Sequence, residues 1–214
     1  MPPYTLGVDV SHYEGNVDWA RVLSAGYSFG FCKASQGDRE VDPQFIANWT
    51  AMSAAGITRG AYHFFQPGVN GAAQADHFLA TVPRLPTDLP PTLDVEQAPG
   101  DVAVSEYIEE IQAFCDKIQA ATGHKPILYT YIPFWRDTLG DPKQFSAAGH
   151  PLWIARYTPA ETPGDLPGGW TEWTFWQYAA PDPGAPHVDV PGIGISDVDR
   201  FEGSHVELLK RFGI

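Results

Sequence analysis

Tyr27-Ser28-Phe29-Gly30-Phe31-Cys32-Lys33-Ala34-Ser35 is an apolar run that gives way to Asp42-Pro43, and then to Phe45, Ile46, Trp49 and Met52 at helical spacing. Gly56 stops that stripe, and Ile57–Phe65 resumes an apolar run. Runs rich in β-branched and aromatic residues between Gly or Pro read as strands. Asp-Pro ahead of a periodic stripe reads as an N-cap with Pro at the first helical position. The stretch therefore predicts a strand–helix–strand unit, whose two strands must be parallel and joined by a right-handed crossover.

The same reading extends outward. Strand runs recur at Thr5–Ser11, Thr92–Glu96, Pro126–Tyr131, Pro151–Tyr157, Thr174–Ala179 and Ser196–Phe201. A longer helix starts near Ser105, carries Ile108, Ile111, Phe114, Cys115 and Ile118 on one stripe, and stops at Thr122-Gly123. A final helix is announced by Ser204 with Glu207 three residues on, a capping box. The spacers Thr158–Thr171 and Pro181–Gly194 are crowded with Pro and Gly and lack helical periodicity. Eight strands, five with helical or partly helical connections and three without, predict an α/β fold. It is a modified TIM-like barrel of eight parallel or mostly parallel strands, five β/α units followed by three strands with little helix. Residues 1–214 are read as one catalytic barrel domain.

Composition narrows the partners. Thirteen Lys+Arg against 26 Asp+Glu give a formal net charge of −13, which argues against nucleic acid or anionic membrane as a partner. No run of about eighteen apolar residues exists to span a bilayer. Met1-Pro2-Pro3-Tyr4 leads straight into a strand pattern without a basic or apolar leader. The expectation is a secreted, extracellular monomer in mature form, or a protein that leaves the cell by another route. Cys32 and Cys115 read as buried free thiols. The seven histidines show no paired ligand spacing, so neither metal nor cofactor is expected. Asn48-Trp49-Thr50 matches a glycosylation sequon inside an aromatic helix and reads as a chance match.

Catalytic groups of such a barrel sit at the C-terminal strand ends. Those ends supply Asp9, Lys33, Tyr62, Asp94, Glu96, Tyr129, Tyr131, Gln177 and Asp197. Each acid alone reads as a solvated loop residue or helix cap. Converging carboxylates in a partly desolvated mouth repel and raise one another's pKa, which is costly for folding. In Thr92-Leu93-Asp94-Val95-Glu96 the two acids share one face, with Cα atoms roughly 6.6 Å apart. Leu93 and Val95 then face the helical layer. Abundant Trp and Tyr, seven and nine, would suit the apolar faces of sugars.

Taken together, these motifs resemble glycoside hydrolase family 25, the Chalaropsis-type lysozymes. Gly7-Val8-Asp9-Val10-Ser11-His12 with Asp18-Trp19 is similar to the family's opening signature. Phe31-Cys32-Lys33-Ala34-Ser35-Gln36-Gly37, Gly60-Ala61-Tyr62-His63-Phe64 and Leu93-Asp94-Val95-Glu96 come next, in the family's order. Leu128-Tyr129-Thr130, Leu152-Trp153-Ile154-Ala155-x-Tyr157, Trp176-Gln177-Tyr178 and Asp197-Val198-Asp199-Arg200-Phe201 complete it. The resemblance covers nearly the whole chain.

That resemblance implies cleavage of the β-1,4 bond between N-acetylmuramic acid and N-acetylglucosamine of bacterial peptidoglycan. Glu96 takes the place of the general acid/base, and Asp94 that of its partner on the substrate's acetamido group. Asp9 and Asp197 line the same cleft, with Asp199 as the alternative to Asp197. Tyr62, Tyr131, Tyr129, Trp153, Gln177 and Lys33 are the substrate-binding candidates. Gln36 stands where many members have Glu, and no catalytic role is given to it. Both lead acids come from one strand, which favours attack by the substrate's own acetamido oxygen and net retention. A metal-assisted hydrolase, a non-catalytic sugar-binding barrel and a chitinase-type glycosidase remain as alternatives.

Overall fold

A computed structural model describes residues 4–214; the Met1-Pro2-Pro3 stretch, expected to enter the first strand, lies outside them. β1 (Tyr4–Val10) passes through a short 3₁₀ turn (His12–Glu14) to α1 (Trp19–Ser24), β2 (Tyr27–Gln36), β3 (Glu40–Val41), α2 (Phe45–Ala55) and β4 (Thr58–Phe64). Next come α3 (Gly71–Thr81), β5 (Thr92–Asp94), α4 (Val104–Thr122) and β6 (Ile127–Tyr131). A π-helical turn (Phe134–Thr138), α5 (Gln144–Ala148) and β7 (Leu152–Ala155) succeed them. The last third holds β8 (Phe175–Ala179), a small hairpin of β9 (Asp189–Val190) and β10 (Gly194–Ile195), β11 (Asp197–Glu202) and α6 (His205–Phe212).

The strands hydrogen-bond in the order β1-β11-β8-β7-β6-β5-β4-β2, and β2 returns to β1, so the sheet closes into an eight-stranded barrel. Five helix-connected units precede three strands without crossover helices, as the spacers implied. Direction is where the structure adds something. β11 runs antiparallel to both of its neighbours, with Asp9 opposite Asp197 and Phe175 opposite Phe201. The Pro- and Gly-rich segment after β8 folds into the β9–β10 hairpin and never crosses back along the barrel. A chain that does not cross over returns antiparallel.

The start of α2 also differs in detail. Asp42 does cap this turn, its Oδ1 accepting the Gln44 N–H at 2.9 Å, but Pro43 lies ahead of the regular helix, which begins at Phe45. The other Asp42 oxygen accepts the backbone N–H of His12 at 3.1 Å, tying the loop after β1 to this helix. Phe45, Trp49 and Met52 are buried, whereas Ile46 is 58% exposed. It sits one residue, about 100°, further round the helix and off the stripe. Asn48 is buried and its Oδ1 accepts from Trp19 Nε1 at 3.2 Å, so the sequon asparagine is engaged inside the fold.

Alternation along the strands sorts the core into two layers. Val8, Cys32, Leu93, Val95 and Ile154 face outward against Trp49, Phe114, Ile118 and the other helical residues. Phe29, Phe31, Ile127, Trp153, Phe175 and Phe201 fill the barrel. Gly7 and Gly60 make room for them: a Cβ at either would lie 2.2 Å or 2.3 Å from the ring of Phe29 or Phe31. α6, with its Ser204–Glu207 capping box, closes the lower end by packing Leu208 and Phe212 inward. The Phe212 ring stacks on Phe175 at 6.0 Å. The interior is therefore plugged below, and only the upper end can open into a cleft. Cys32 and Cys115 are free and buried. Among the described residues no helix is long and apolar enough to cross a membrane.

Candidate active site

A cleft of about 990 Å³ opens at the upper end of the barrel. Asp9, Tyr62, Asp94, Glu96, Tyr129, Tyr131, Trp153, Gln177 and Asp197 all line it. Asp94 ends β5, and the ladder continues just far enough to aim the next two residues. Phe65 N–H donates to the Asp94 carbonyl and Val95 N–H to the Tyr129 carbonyl, each at 2.9 Å. Val95 is thereby pinned in the outer core, and Glu96 is turned to the mouth beside Asp94. Asp197 reaches the mouth by a different route from the one the strand-end reading assumed. It is the first residue of β11, and it faces the cleft because that strand runs antiparallel.

Lys33 does not line the cleft. Its Nζ donates to Gln36 Oε1 at 2.8 Å and sits 4.5 Å from the centre of the Phe64 ring. From there its charge still favours the ionised forms of Asp94 and Glu96. The departure at Gln36 thus supplies the acceptor that holds Lys33.

A connected polar network forms the cleft floor. Gln177 Oε1 accepts from Tyr129 Oη at 3.0 Å and from Tyr157 Oη at 2.8 Å. With its oxygen occupied, the amide turns Nε2 to Asp9 Oδ2 at 2.8 Å. Asp199 is 0% exposed; its Oδ1 accepts from Trp153 Nε1 at 2.8 Å, and its charge is the first influence after burial to raise the Asp9 carboxyl.

Burial is the first cause of every carboxyl shift here, because it penalises the charged form. Asp9 and Asp94 are held well above the ordinary range by burial, then by the charges of Asp199 and Glu96 respectively. Glu96 is raised by burial and next by Asp182 on the rim. Burial and Asp9 push Asp197 up to about 9, and burial and Asp197 push Asp199 up to about 8. Carboxylic acids that keep protons near neutrality can donate one to a leaving oxygen.

His63, next to Tyr62 in sequence, is a buried structural ring, with Ser35 Oγ 2.8 Å from Nδ1 and Gln74 Oε1 3.1 Å from Nε2. Burial pushes it down to about 3, so it stays neutral. Among the described residues no group of three or more His, Cys, Asp or Glu is arranged to hold a metal ion. Sequence reasoning missed Tyr157, Asp182, Arg136 and Arg156, all of which line the cleft. Tyr157 stood in plain view three residues after Ile154. The others sit in or beside segments without periodicity, where no local signal says which side chains turn inward.

Residues 8–183 match the profile of Glycosyl hydrolases family 25. The chain is 37% identical to Lysozyme M1 of Streptomyces globisporus, over 95% of this chain and 69% of that protein. It is 38% identical to the N,O-diacetylmuramidase of a Chalaropsis species, over 80% of this chain and 86% of that one. The fold superposes on the bacterial lysozyme of Streptomyces coelicolor with a TM-score of 0.86 at 35% identity, covering 96% of this chain and 95% of that one. A muramidase from Trichobolus zukalii gives 0.85 at 31% identity, covering 98% and 100%. A profile match over most of the chain, relatives of this identity and one shared barrel agree: the chain belongs to glycosyl hydrolase family 25.

Proposed function

We propose that the chain is a secreted, monomeric N-acetylmuramidase. It hydrolyses the β-1,4 bond between N-acetylmuramic acid and N-acetylglucosamine in bacterial peptidoglycan. The observation that carries this reading is the Asp94–Glu96 pair, turned by one strand end into a cleft where burial raises Glu96 above the ordinary carboxyl range, as a proton donor requires. Relatives named lysozyme and N,O-diacetylmuramidase support the substrate class.

Glu96 gives its proton to the leaving oxygen. Asp94 steadies the acetamido group of the muramic acid while the acetamido oxygen attacks the anomeric carbon. Asp9 and Asp197 stand across the mouth, and Tyr62, Tyr131 and Trp153 supply ring surface to the sugars. Water opens the resulting oxazolinium with Glu96, now a carboxylate, as base, so the configuration is retained. Digesting purified peptidoglycan and chitin oligomers in parallel tests the reading. Mass spectrometry should find fragments with N-acetylmuramic acid at the reducing end. Fragments ending in N-acetylglucosamine, or cleavage of chitin alone, would overturn it.

A further inference from the structure

The cleft is lined by six carboxylates but also by two guanidinium groups, Arg136 and Arg156. In a chain of net charge −13, cations placed at an acidic mouth ought to be neutralised by their neighbours. They are not: among the described residues, the ion pairs within 4.0 Å involve neither arginine. Asp165 lines the same wall, yet it meets Arg136 through its backbone carbonyl.

Each arginine is instead fixed through a single nitrogen. Arg136 Nη2 donates to the Leu166 carbonyl at 2.8 Å, and Arg156 Nη1 donates to the Pro163 carbonyl. The two come from the connections after β6 and β7, which are adjacent strands, and both clamp the same Pro163–Leu166 loop. The backbone of Arg156 is itself anchored, its N–H to the Gln177 carbonyl at 3.0 Å and its carbonyl to Trp176 Nε1 at 2.8 Å. Gly164 completes the cradle. Its φ of +74° suits glycine, and a Cβ there would come 2.8 Å from Arg156 Nη1. A guanidinium has five N–H donors in a planar fork, so most of each fork remains for a ligand. Anchoring one nitrogen lowers the entropy lost when the others bind.

We propose that Arg136 and Arg156 form an anion subsite for the carboxylates of the peptide stem borne by the muramic acid lactyl group. This rests on the muramidase reading and deepens it: the preferred substrate is the anionic, stem-bearing strand rather than bare amino-sugar polymer. The charge balance gives such a subsite a purpose. An anionic wall polymer is repelled by the rest of this surface, and two unneutralised forks beside the acids give its carboxylates a local attraction.

The test compares glycan strands carrying intact stems with the same strands after their stem carboxylates are capped as methylamides. The wild type should show a kcat/KM roughly tenfold higher on the charged strands, the scale of a charge-assisted hydrogen bond, with the difference in KM. Arg136→Gln and Arg156→Gln should each shrink that ratio, and the double variant should bring it near one. Arg156→Lys, which keeps the charge and loses the fork, should fall between. A wild type that treats the two strands alike would overturn the proposal. So would variants that lose activity equally on both, since that marks the arginines as loop clamps only. Failure of the muramidase reading looks different: neither strand would then be cut at all.

Discussion

Trp153 Nε1 donates a 2.8 Å hydrogen bond to Asp199 Oδ1 in the sealed floor of the cleft, and the charge of the carboxyl so held raises the pKa of Asp9. The indole anchors an acid that never meets solvent, and the charge of that acid in turn raises one that lines the cleft. This relationship has a consequence for stability. Folding raises the pKa of Asp199 to about 8 and that of Asp197 to about 9, so across this range the folded state binds more protons than the unfolded chain. Their stabilising contribution is complete below the ordinary carboxylate value of 3.8 and is lost as pH rises through about 8 and about 9. Asp199→Asn keeps an acceptor for Trp153 while removing the titration. Its melting temperature relative to the wild type should therefore rise on going from about pH 5 to about pH 8. A gain of ~1 kcal/mol corresponds to about 2–4 °C for a chain of this size. An offset that is the same at both pH values would contradict the raised proton affinity of Asp199.

Glu96→Gln should abolish turnover and leave the fold intact. The side chain lines the cleft and belongs to neither core cluster, so the amide disturbs no packing. General acid catalysis is worth about 10²–10⁴-fold. A variant that keeps more than about a tenth of wild-type release of reducing ends would remove Glu96 from the role. Its melting curve should match the wild type within a few degrees.

Substrate assistance fixes the stereochemistry. Displacement occurs twice at the anomeric carbon, so proton NMR of the earliest product should show the β-anomer. Asp94→Asn should slow turnover severely without preventing binding, because an amide cannot balance charge developing on the acetamido nitrogen. Strands de-N-acetylated at muramic acid should bind and resist cleavage. First appearance of the α-anomer would mean inversion by water, with Asp9 or Asp197 as base.

Activity on whole cells should peak below neutrality. The net charge of −13 opposes approach to an anionic wall, and protonating surface carboxylates or screening them with salt relieves it. The raised pKa of Glu96 keeps the general acid loaded over the same range. Moderate salt should therefore help at about pH 7 and matter less at about pH 5. Turbidity assays that are flat with pH and indifferent to salt would count against this.

Gln177 shows how far local reading reaches. Its place at the end of a strand run was legible, and so was that of Tyr129. That the Gln177 oxygen is occupied by two tyrosine hydroxyls, leaving its nitrogen to orient Asp9, comes from three strands meeting. Lys33 marks the opposite case. Alternation pointed it at the mouth, but its long side chain folds back to Gln36 within the same strand end.

By itself, the sequence determined the eight strand positions, the five helix-linked units and the placing of Asp9, Asp94 and Glu96 at strand ends. These depend on side-chain periodicity, on caps such as Ser204–Glu207 and on turn residues, all of which act over a few positions. The tertiary structure alone decided that β11 runs antiparallel and delivers Asp197 from its start rather than its end. It likewise decided that Asp199 is sealed beneath Asp9, and that two arginines without carboxylate partners share one cleft with six acids. Strand direction after an aperiodic loop is chosen by hydrogen bonding to distant strands, and a carboxyl's proton affinity is set by burial that distant residues create.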